Sequence, residues 1–92
     1  MRLLFEWDPN KAQANAEKHT VSFGEAATVF GDMLSITYRD PDHSVVESRH
    51  ITIGMSQLGR LLIIAHVDQG DRIRIISARE TTRSERKLYE EG

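Results

Sequence analysis

Cysteine is absent from the sequence, proline occurs only twice, and no long apolar run is present. The lack of cysteine excludes disulfide bonds, thiolate nucleophiles and thiolate metal ligands. No segment approaches the roughly 20 consecutive apolar residues that a membrane-spanning helix needs. The apolar N-terminus is interrupted by Glu6 and Asp8, too early for the core of a signal peptide. We therefore expect one soluble domain, residues 1–92, located in the cytoplasm and away from membranes.

Charge is distributed unevenly along the chain. The whole sequence has 12 Lys and Arg against 14 Asp and Glu, a net charge of -2. Between Arg72 and Lys87, however, six basic residues meet only two acidic ones, so this segment carries +4 and the remainder -6. A basic surface attracts anionic partners such as nucleic acid, whereas the acidic remainder repels them. The alternative is a solvated face that only keeps the protein soluble.

Hydrophobic periodicity predicts an α+β domain. Five segments alternate with the period of a strand, and three others have helical spacing. The predicted strands are 2–7, 34–39, 48–54, 61–67 and 72–78, and the predicted helices are 9–18, 23–30 and one that begins at residue 83. Because the last four strands follow one another through short turns, we expect an antiparallel sheet of four to five strands. Two N-terminal helices and one C-terminal helix should pack on one face of it.

Hydrogen-bonding residues precede each predicted helix. Asp8 stands before a proline, which favours the first helical position. Ser22 with Glu25, and Thr82 with Glu85, have the spacing of a capping box, in which each side chain binds the backbone amide of the other residue. These caps predict where the three helices begin.

The first predicted helix presents a polar face. Lys11, Asn15 and Lys18 are separated by four and three residues, so they lie on the same side of the helix. Two ammonium groups and an amide arranged in this way can bind a phosphate. The alternative is an ordinary solvent-exposed helix face.

Two histidines have neighbours that suggest chemistry. His66 lies within the apolar segment 61–67, where it is either a hydrogen-bonded core residue or a proton carrier. His43 is accompanied by carboxylates at Asp40, Asp42 and Glu47. Their spacing matches no compact ligand pattern, so we expect a plain turn there and no metal site.

The last predicted strand carries arginines. Simple alternation places Arg72, Arg74 and Ala78 on one face of the sheet and Ser77 on the other. Two neighbouring guanidinium groups repel each other unless an anion joins them. Arg79 follows where the strand is predicted to end. This segment is therefore the leading candidate for binding an anion.

The order and spacing of four residue groups resemble those of a known family. The groups are Trp7-Asp8 with Lys11, Asn15 and Lys18-His19; Val21-Ser22-Phe23 with Glu25-Ala26 and Val29-Phe30; Ile53-Gly54 with Ser56 and Gly59-Arg60; and Arg74-Ile75-Ile76-Ser77-Ala78-Arg79 with Tyr89-Glu90. Together they resemble the BrnT-type toxins of bacterial type II toxin–antitoxin systems, over essentially the whole chain. The resemblance implies a RelE-like fold and cleavage of RNA without metal or cofactor. It also implies neutralisation by a ribbon-helix-helix antitoxin of the BrnA type, and binding to promoter DNA only through the antitoxin complex.

Cleavage of RNA without a metal needs particular side chains. A base must take the 2′-hydroxyl proton, an acid must protonate the leaving 5′-oxygen, and cations must stabilise the charge around phosphorus. We expect Arg74 and Arg79 to stabilise that charge. His66 or Lys18 should carry protons, with His19 as a further candidate. The residues expected to bind RNA phosphates are Lys11, Arg60, Arg72, Arg83 and Lys87.

Two other functions fit the same residues. One is a non-catalytic module of a toxin–antitoxin-like operon that binds nucleic acid or a protein partner. The other is a purely structural interaction domain. In the complex with the antitoxin, we expect acidic residues of the antitoxin to lie near Arg74 and Arg79 and to cover the basic segment.

Overall fold

The computed structural model describes residues 3–41 and 48–92, which contain five strands and three α-helices. The strands are β1 Leu4–Glu6, β2 Ile36–Arg39, β3 Arg49–Met55, β4 Leu61–Gln69 and β5 Arg72–Glu80. The helices are α1 Pro9–His19, α2 Phe23–Thr28 and α3 Arg83–Glu91, with a short 3-10 helix Val29–Gly31 directly after α2. Every predicted segment is present, and the boundaries differ by a few residues. Asp42, His43 and Glu47 lie outside the described residues. No helix in the described part is long and apolar enough to cross a membrane.

The strands form one sheet in the order β1-β5-β4-β3-β2. β2, β3, β4 and β5 pair antiparallel, as their short connections predicted. β1 instead pairs parallel with β5, with Phe5 opposite Ile73. The prediction of a wholly antiparallel sheet was therefore wrong for this strand. Among the described residues, two α-helices and three strands separate β1 from β5 in the sequence. A connection of this length permits parallel pairing, whereas a short hairpin turn permits only antiparallel pairing.

β5 contains a β-bulge. Ile75 lies opposite His66 of β4, but Ser77 lies opposite the adjacent Ala65. Ile76 is therefore one extra residue in β5 without its own partner. An extra residue reverses the alternation of every residue after it.

The bulge decides which side chains share a face with Arg74. Arg74 lies opposite Val67, and Arg79 lies opposite Ile63. Because Val67 and Ile63 are four residues apart on a regular strand, both arginines point to the same side of the sheet. Ala78 instead turns into the core, where it is 1% exposed. The predicted grouping of Ala78 with Arg74 was wrong, because simple alternation does not account for the inserted residue.

One face of the sheet is covered by α2, and we call it the α2 face. Apolar side chains of the helix meet alternate residues of β4 and β5 there, and all are nearly inaccessible to solvent. The cluster comprises Val21, Phe23, Ala26, Val29, Leu62, Ile64, Ile75 and Ala78. Burial of this apolar surface is the main stabilising contribution to the fold.

The opposite face is partly covered by α3. Leu61 and Ile63, which alternate with the α2-face residues of β4, form a second cluster with Ile53, and Tyr89 of α3 packs against it. The helices therefore lie on both faces, and the prediction that they share one face was wrong. Ile53, Leu61 and Ile63 are buried on this face, whereas Ile51, Ala65 and Ser77 remain partly or fully exposed. We call it the arginine face, after Arg49, Arg74 and Arg79.

Asp32 attaches α3 to the rest of the molecule. Its carboxylate accepts hydrogen bonds from the amides of Leu34 and Met55, at 2.9 and 2.8 Å, and from the Tyr89 hydroxyl at 2.7 Å. Burial raises the pKa of Asp32, but these three hydrogen bonds outweigh it and bring the pKa below its ordinary value. The carboxylate thus stays ionised and joins the loop before β2, strand β3 and helix α3.

The two predicted capping boxes differ in outcome. Thr82 and Glu85 form the complete box at the start of α3. At α2, the Ser22 hydroxyl accepts the Glu25 amide at 3.0 Å. The Glu25 carboxylate binds Arg60 instead of reaching back to the cap. The second half of that predicted box was therefore wrong, because a cation from β4's hairpin competes for the carboxylate.

Candidate nucleic-acid interface

Two arginines stand in one row on the arginine face. Arg49 of β3 and Arg74 of β5 both lie opposite Val67 of β4. Neighbouring strands are about 4.8 Å apart, so the two arginine backbones are separated by roughly 10 Å. Both side chains are partly buried, and each also interacts with other groups of the protein. Both residues line the same hollow beside α1.

α1 runs along the part of β5 that β1 leaves without a partner strand. The side-chain amide of Asn15 takes the place of a strand there. It donates to the Ala78 carbonyl at 2.8 Å and accepts the Ala78 amide at 3.1 Å. Its second N–H group donates to the Val21 carbonyl at 2.9 Å. Asn15 therefore positions α1 against β5, and its amide is not available to bind a phosphate as the polar helix face suggested.

Two adjoining hollows lie between α1 and the arginine face. The first, about 230 Å³, is lined by Asp8, Lys11, Arg49, Arg74, Ile75 and Ile76. The second, about 240 Å³, is lined by Lys11, Ala14, Asn15, Lys18, His19, Ile76 and Ser77. Because they share Lys11 and Ile76, we treat them as one feature, the basic cleft. Among the described residues, four cationic side chains, a histidine and one carboxylate line this cleft, an arrangement that attracts anions.

Arg79 lies on the same face but outside the basic cleft, and it is paired with Glu85. Its Nη1 and Nη2 atoms donate to the two carboxylate oxygens at 2.8 and 2.9 Å, and Nη1 also donates to the Glu80 carbonyl. The bonds from Arg79 hold the pKa of Glu85 below its ordinary value despite burial, and they raise the pKa of Arg79. Both groups stay charged. The carboxylate therefore occupies the paired N–H groups that would otherwise bind a phosphate.

Arg60 is also paired with a carboxylate, and it is not among the residues that line the basic cleft. Its Nε donates to Glu25 at 3.0 Å, and its Nη2 donates to the Thr20 carbonyl at 2.9 Å. The Glu25 side chain is only 5% exposed and also accepts the Ser56 hydroxyl at 2.7 Å. Hydrogen bonds from Arg60 hold the pKa of Glu25 below its ordinary value. Arg60 thus joins α2 and the end of α1 to the hairpin between β3 and β4, where its charge is matched by Glu25.

Three further residues predicted to bind RNA also lie outside the cleft lining. Arg72 is exposed and lies 3.5 Å from the Glu6 carboxylate. Arg83 and Lys87 are exposed on α3. The prediction that these three residues bind RNA phosphates therefore concerns the surface outside the cleft.

His66 lies on the α2 face, where it is 1% exposed. Its Nδ1 is 2.6 Å from the Asp68 carboxylate and its Nε2 is 2.7 Å from the Thr52 hydroxyl. A hydroxyl, an imidazole and a carboxylate in this order also form the catalytic triads in which a histidine base activates a hydroxyl nucleophile. Thr52, however, is completely buried, so no substrate reaches it. Burial lowers the pKa of His66 against the opposing effect of Asp68, which favours a neutral, structural imidazole.

The cleft brings together Lys11, Lys18, His19 and Arg74 from among the predicted residues, and it adds Arg49. The sequence held one signal for Arg49, since it alternates with apolar residues on the third predicted strand. Its position beside Arg74 follows from strand register, which alternation alone does not provide. Residue type and spacing therefore predicted three of the four cations that line the cleft in the described part of the chain, and missed Arg49.

The sheet, the helix along its edge and the cleft define a small α+β domain with a cationic surface suited to an anionic polymer. The profile of one family, described as ribonuclease toxin, BrnT, of type II toxin-antitoxin system, matches residues 7–85. Because the match spans most of the chain, this protein belongs to that family, and the resemblance seen in the sequence is confirmed. Membership in a type II toxin family implies an antitoxin partner and an RNA substrate.

A solved structure has a similar fold. It is the crystal structure of the Brucella abortus ribonuclease toxin BrnT, at 1.1 Å resolution. The sequence of that protein is 19% identical to this chain. The similarity covers 90% of this chain and 99% of that chain, with a TM-score of 0.66. At this level of identity the likeness concerns the α+β fold with its five-stranded sheet. No match was found among curated protein sequences.

Proposed function

We propose that this protein is a RelE-like, metal-independent endoribonuclease toxin that cleaves RNA in the cytoplasm and thereby arrests growth. One observation carries the proposal. Cations from α1, β3 and β5 line a single cleft together with His19 and the exposed Ser77. Membership in a ribonuclease toxin family supports the same assignment.

Arg49 and Arg74 are assigned to the phosphate that is cleaved. Each guanidinium can donate paired hydrogen bonds to phosphate oxygens, and these strengthen as negative charge grows in the transition state. Lys11 is assigned to a neighbouring phosphate along the cleft. Arg79 is displaced from Arg74 by about 13 Å along the sheet and is held by Glu85, so we do not assign it to the cleaved phosphate.

His19 and Lys18 are assigned to proton transfer, because His66 is buried on the other face. His19 takes the proton from the 2′-hydroxyl, and the 2′-oxygen then forms a bond to phosphorus. The bond from phosphorus to the 5′-oxygen breaks, and Lys18 gives that oxygen a proton. The products are a 2′,3′-cyclic phosphate and a 5′-hydroxyl end.

Expression of the protein alone in a bacterium tests this proposal. Growth arrest and new RNA fragments with 5′-hydroxyl ends are expected for the wild type. Arg74→Gln and His19→Gln should abolish both effects, whereas Arg83→Gln, which changes the same charge outside the cleft, should not. Normal growth with intact RNA, in cells that contain folded wild-type protein, would refute ribonuclease activity. RNA binding without cleavage would indicate a non-catalytic module instead.

The proposed antitoxin is a ribbon-helix-helix protein of the BrnA type whose acidic residues cover Arg74 and Arg79. Such a contact would block RNA both sterically and by charge, and it would link promoter DNA to the toxin only through the antitoxin. Arg74→Glu should weaken the complex, and reversal of an acidic antitoxin residue should restore it. Unchanged affinity in both variants would place the antitoxin elsewhere.

A further inference from the structure

A second row of side chains lies beside the two arginines on the arginine face. Tyr38 of β2 is opposite Ile51 of β3, Ile51 is opposite Ala65 of β4, and Ala65 is opposite Ser77 of β5. On β3 and β4 these residues are displaced by two positions from the row that holds Arg49, so they point to the same side. We call them the central row. It crosses four strands, a width of about 14 Å.

The central row is open to solvent although most of it is apolar. Tyr38 is 39% exposed, Ile51 and Ala65 are partly exposed, and Ser77 is exposed. The next row along the strands is covered by α3 through Tyr89. An apolar strip that the protein leaves uncovered between polar residues is typical of a binding surface. Ala65, in the middle of this strip, contributes only a methyl group.

Cations stand on both sides of the central row. Arg49 and Arg74 lie one row away on one side, about 7 Å along the strands, and Arg79 lies one row away on the other. Tyr38 is near Arg79 and Glu85, and burial together with the Glu85 carboxylate raises the pKa of its hydroxyl. An exposed apolar strip between cations matches the bases and phosphates of a single strand of nucleic acid.

We propose that the central row is a nucleobase platform, on which an unpaired RNA base stacks against the ring of Tyr38 while phosphates contact Arg49 and Arg74. This inference rests on the proposed function and specifies how the substrate is held. The ligand is single-stranded RNA, because a duplex keeps its bases inside and presents mainly phosphates and sugars. Tyr38 is thus a substrate-binding residue.

Binding measurements on a 2′-O-methylated single strand, which has no free 2′-hydroxyl to react, test the platform. Tyr38→Ala should lower the affinity about tenfold, since stacking of one base contributes roughly 1–3 kcal/mol. The dependence of affinity on salt should stay unchanged, because stacking releases no counterions. Arg74→Gln should lower the affinity and also reduce the salt slope by about 1. Tyr38→Phe keeps the ring and should bind like the wild type.

Two comparisons separate stacking from other effects. Leu58→Ala removes an apolar side chain that is 73% exposed elsewhere, and it should leave RNA affinity unchanged. A strand with abasic positions should bind equally to the wild type and to Tyr38→Ala. If Tyr38→Ala does not fold by circular dichroism, Tyr38→Leu serves as the variant without an aromatic ring.

The outcomes distinguish this inference from the proposed function. Equal affinity of folded Tyr38→Ala and wild type for the base-containing strand overturns the platform, even if Arg74→Gln still weakens binding. Absence of salt-sensitive RNA binding by the wild type overturns the proposed function itself. Loss of affinity in Tyr38→Phe as well would show that the hydroxyl, not the ring, makes the contact.

Discussion

The two faces of the sheet are built from alternate residues of the same strands, yet they use polar groups in opposite ways. On the α2 face, both ring nitrogens of His66 have partners inside the protein and the side chain is 1% exposed. On the arginine face, Arg74 and Ser77 line a cleft that solvent reaches. The α2 face therefore contributes mainly to stability, whereas the arginine face combines a second buried cluster with a part that is available for a ligand. Substitutions on the two faces should accordingly change different measurements.

The largest expected effect is loss of stability from the α2 face. Leu62 is fully buried in the main apolar cluster, so Leu62→Ala should lower the free energy of unfolding by about 3 kcal/mol. Ile76→Ala, in the partly exposed wall of the cleft, should cost about 1 kcal/mol or less. Urea denaturation of both variants measures the difference. Equal losses would mean that the cleft wall is as much a part of the core as the α2 face.

Substitution of Arg60 tests whether an arginine outside the basic cleft contributes to RNA binding. Arg60→Ala leaves the Glu25 carboxylate buried without its cation, so the thermal midpoint should fall by at least about 5 °C. RNA affinity should match that of Arg83→Ala, which removes the same charge from an exposed position. A loss of RNA affinity in Arg60→Ala well beyond that control would restore Arg60 as an RNA-binding residue.

Glu85 should limit the contribution of Arg79 to RNA binding. Glu85→Gln weakens the pair with Arg79 but keeps a residue that completes a capping box at α3. We expect RNA affinity to rise about threefold, with a salt slope steeper by about 1, because one more phosphate contact forms. Glu90→Gln makes the same charge change on the exposed side of α3. An equal rise in both variants would show a general charge effect and no release of Arg79.

The sequence allowed the type and order of the elements to be predicted, because periodicity and caps are local properties. The capping box of Thr82 and Glu85 and the start of α1 after Asp8 are examples. The parallel pairing of β1 and the position of α3 depend on contacts between distant segments, which no local pattern contains. The bulge at Ile76 is one residue long, yet it changed the face assigned to every later residue of β5.

The same limit applied to the candidate site. Lys11, Lys18 and Arg74 could be chosen by residue type, since few other groups bind phosphate. Whether a chosen residue is available depends on neighbours that are remote in sequence. Arg60 meets Glu25, 35 residues away, and Asn15 binds Ala78, 63 residues away. Charge patterns therefore predict which residues can act, and register and burial determine which of them face the ligand.

The smallest expected effect concerns pH and again separates the two faces. Because burial lowers the pKa of His66 in the folded protein, the unfolded chain binds its proton more readily. The neutral His66 side chain thus contributes to the free energy of unfolding. This contribution is complete above the ordinary histidine pKa of about 6.5 and declines as the pH falls below it. Asp68 opposes this decline, and His50, whose ring lies 6.0 Å from that of His66, adds to it.

Urea midpoints between pH 8 and pH 5 should fall more steeply for the wild type than for His66→Gln, with His50→Gln close to the wild type. Parallel curves for the wild type and His66→Gln would mean that acid acts on other groups, and that the α2 face is no more sensitive to protonation than the arginine face.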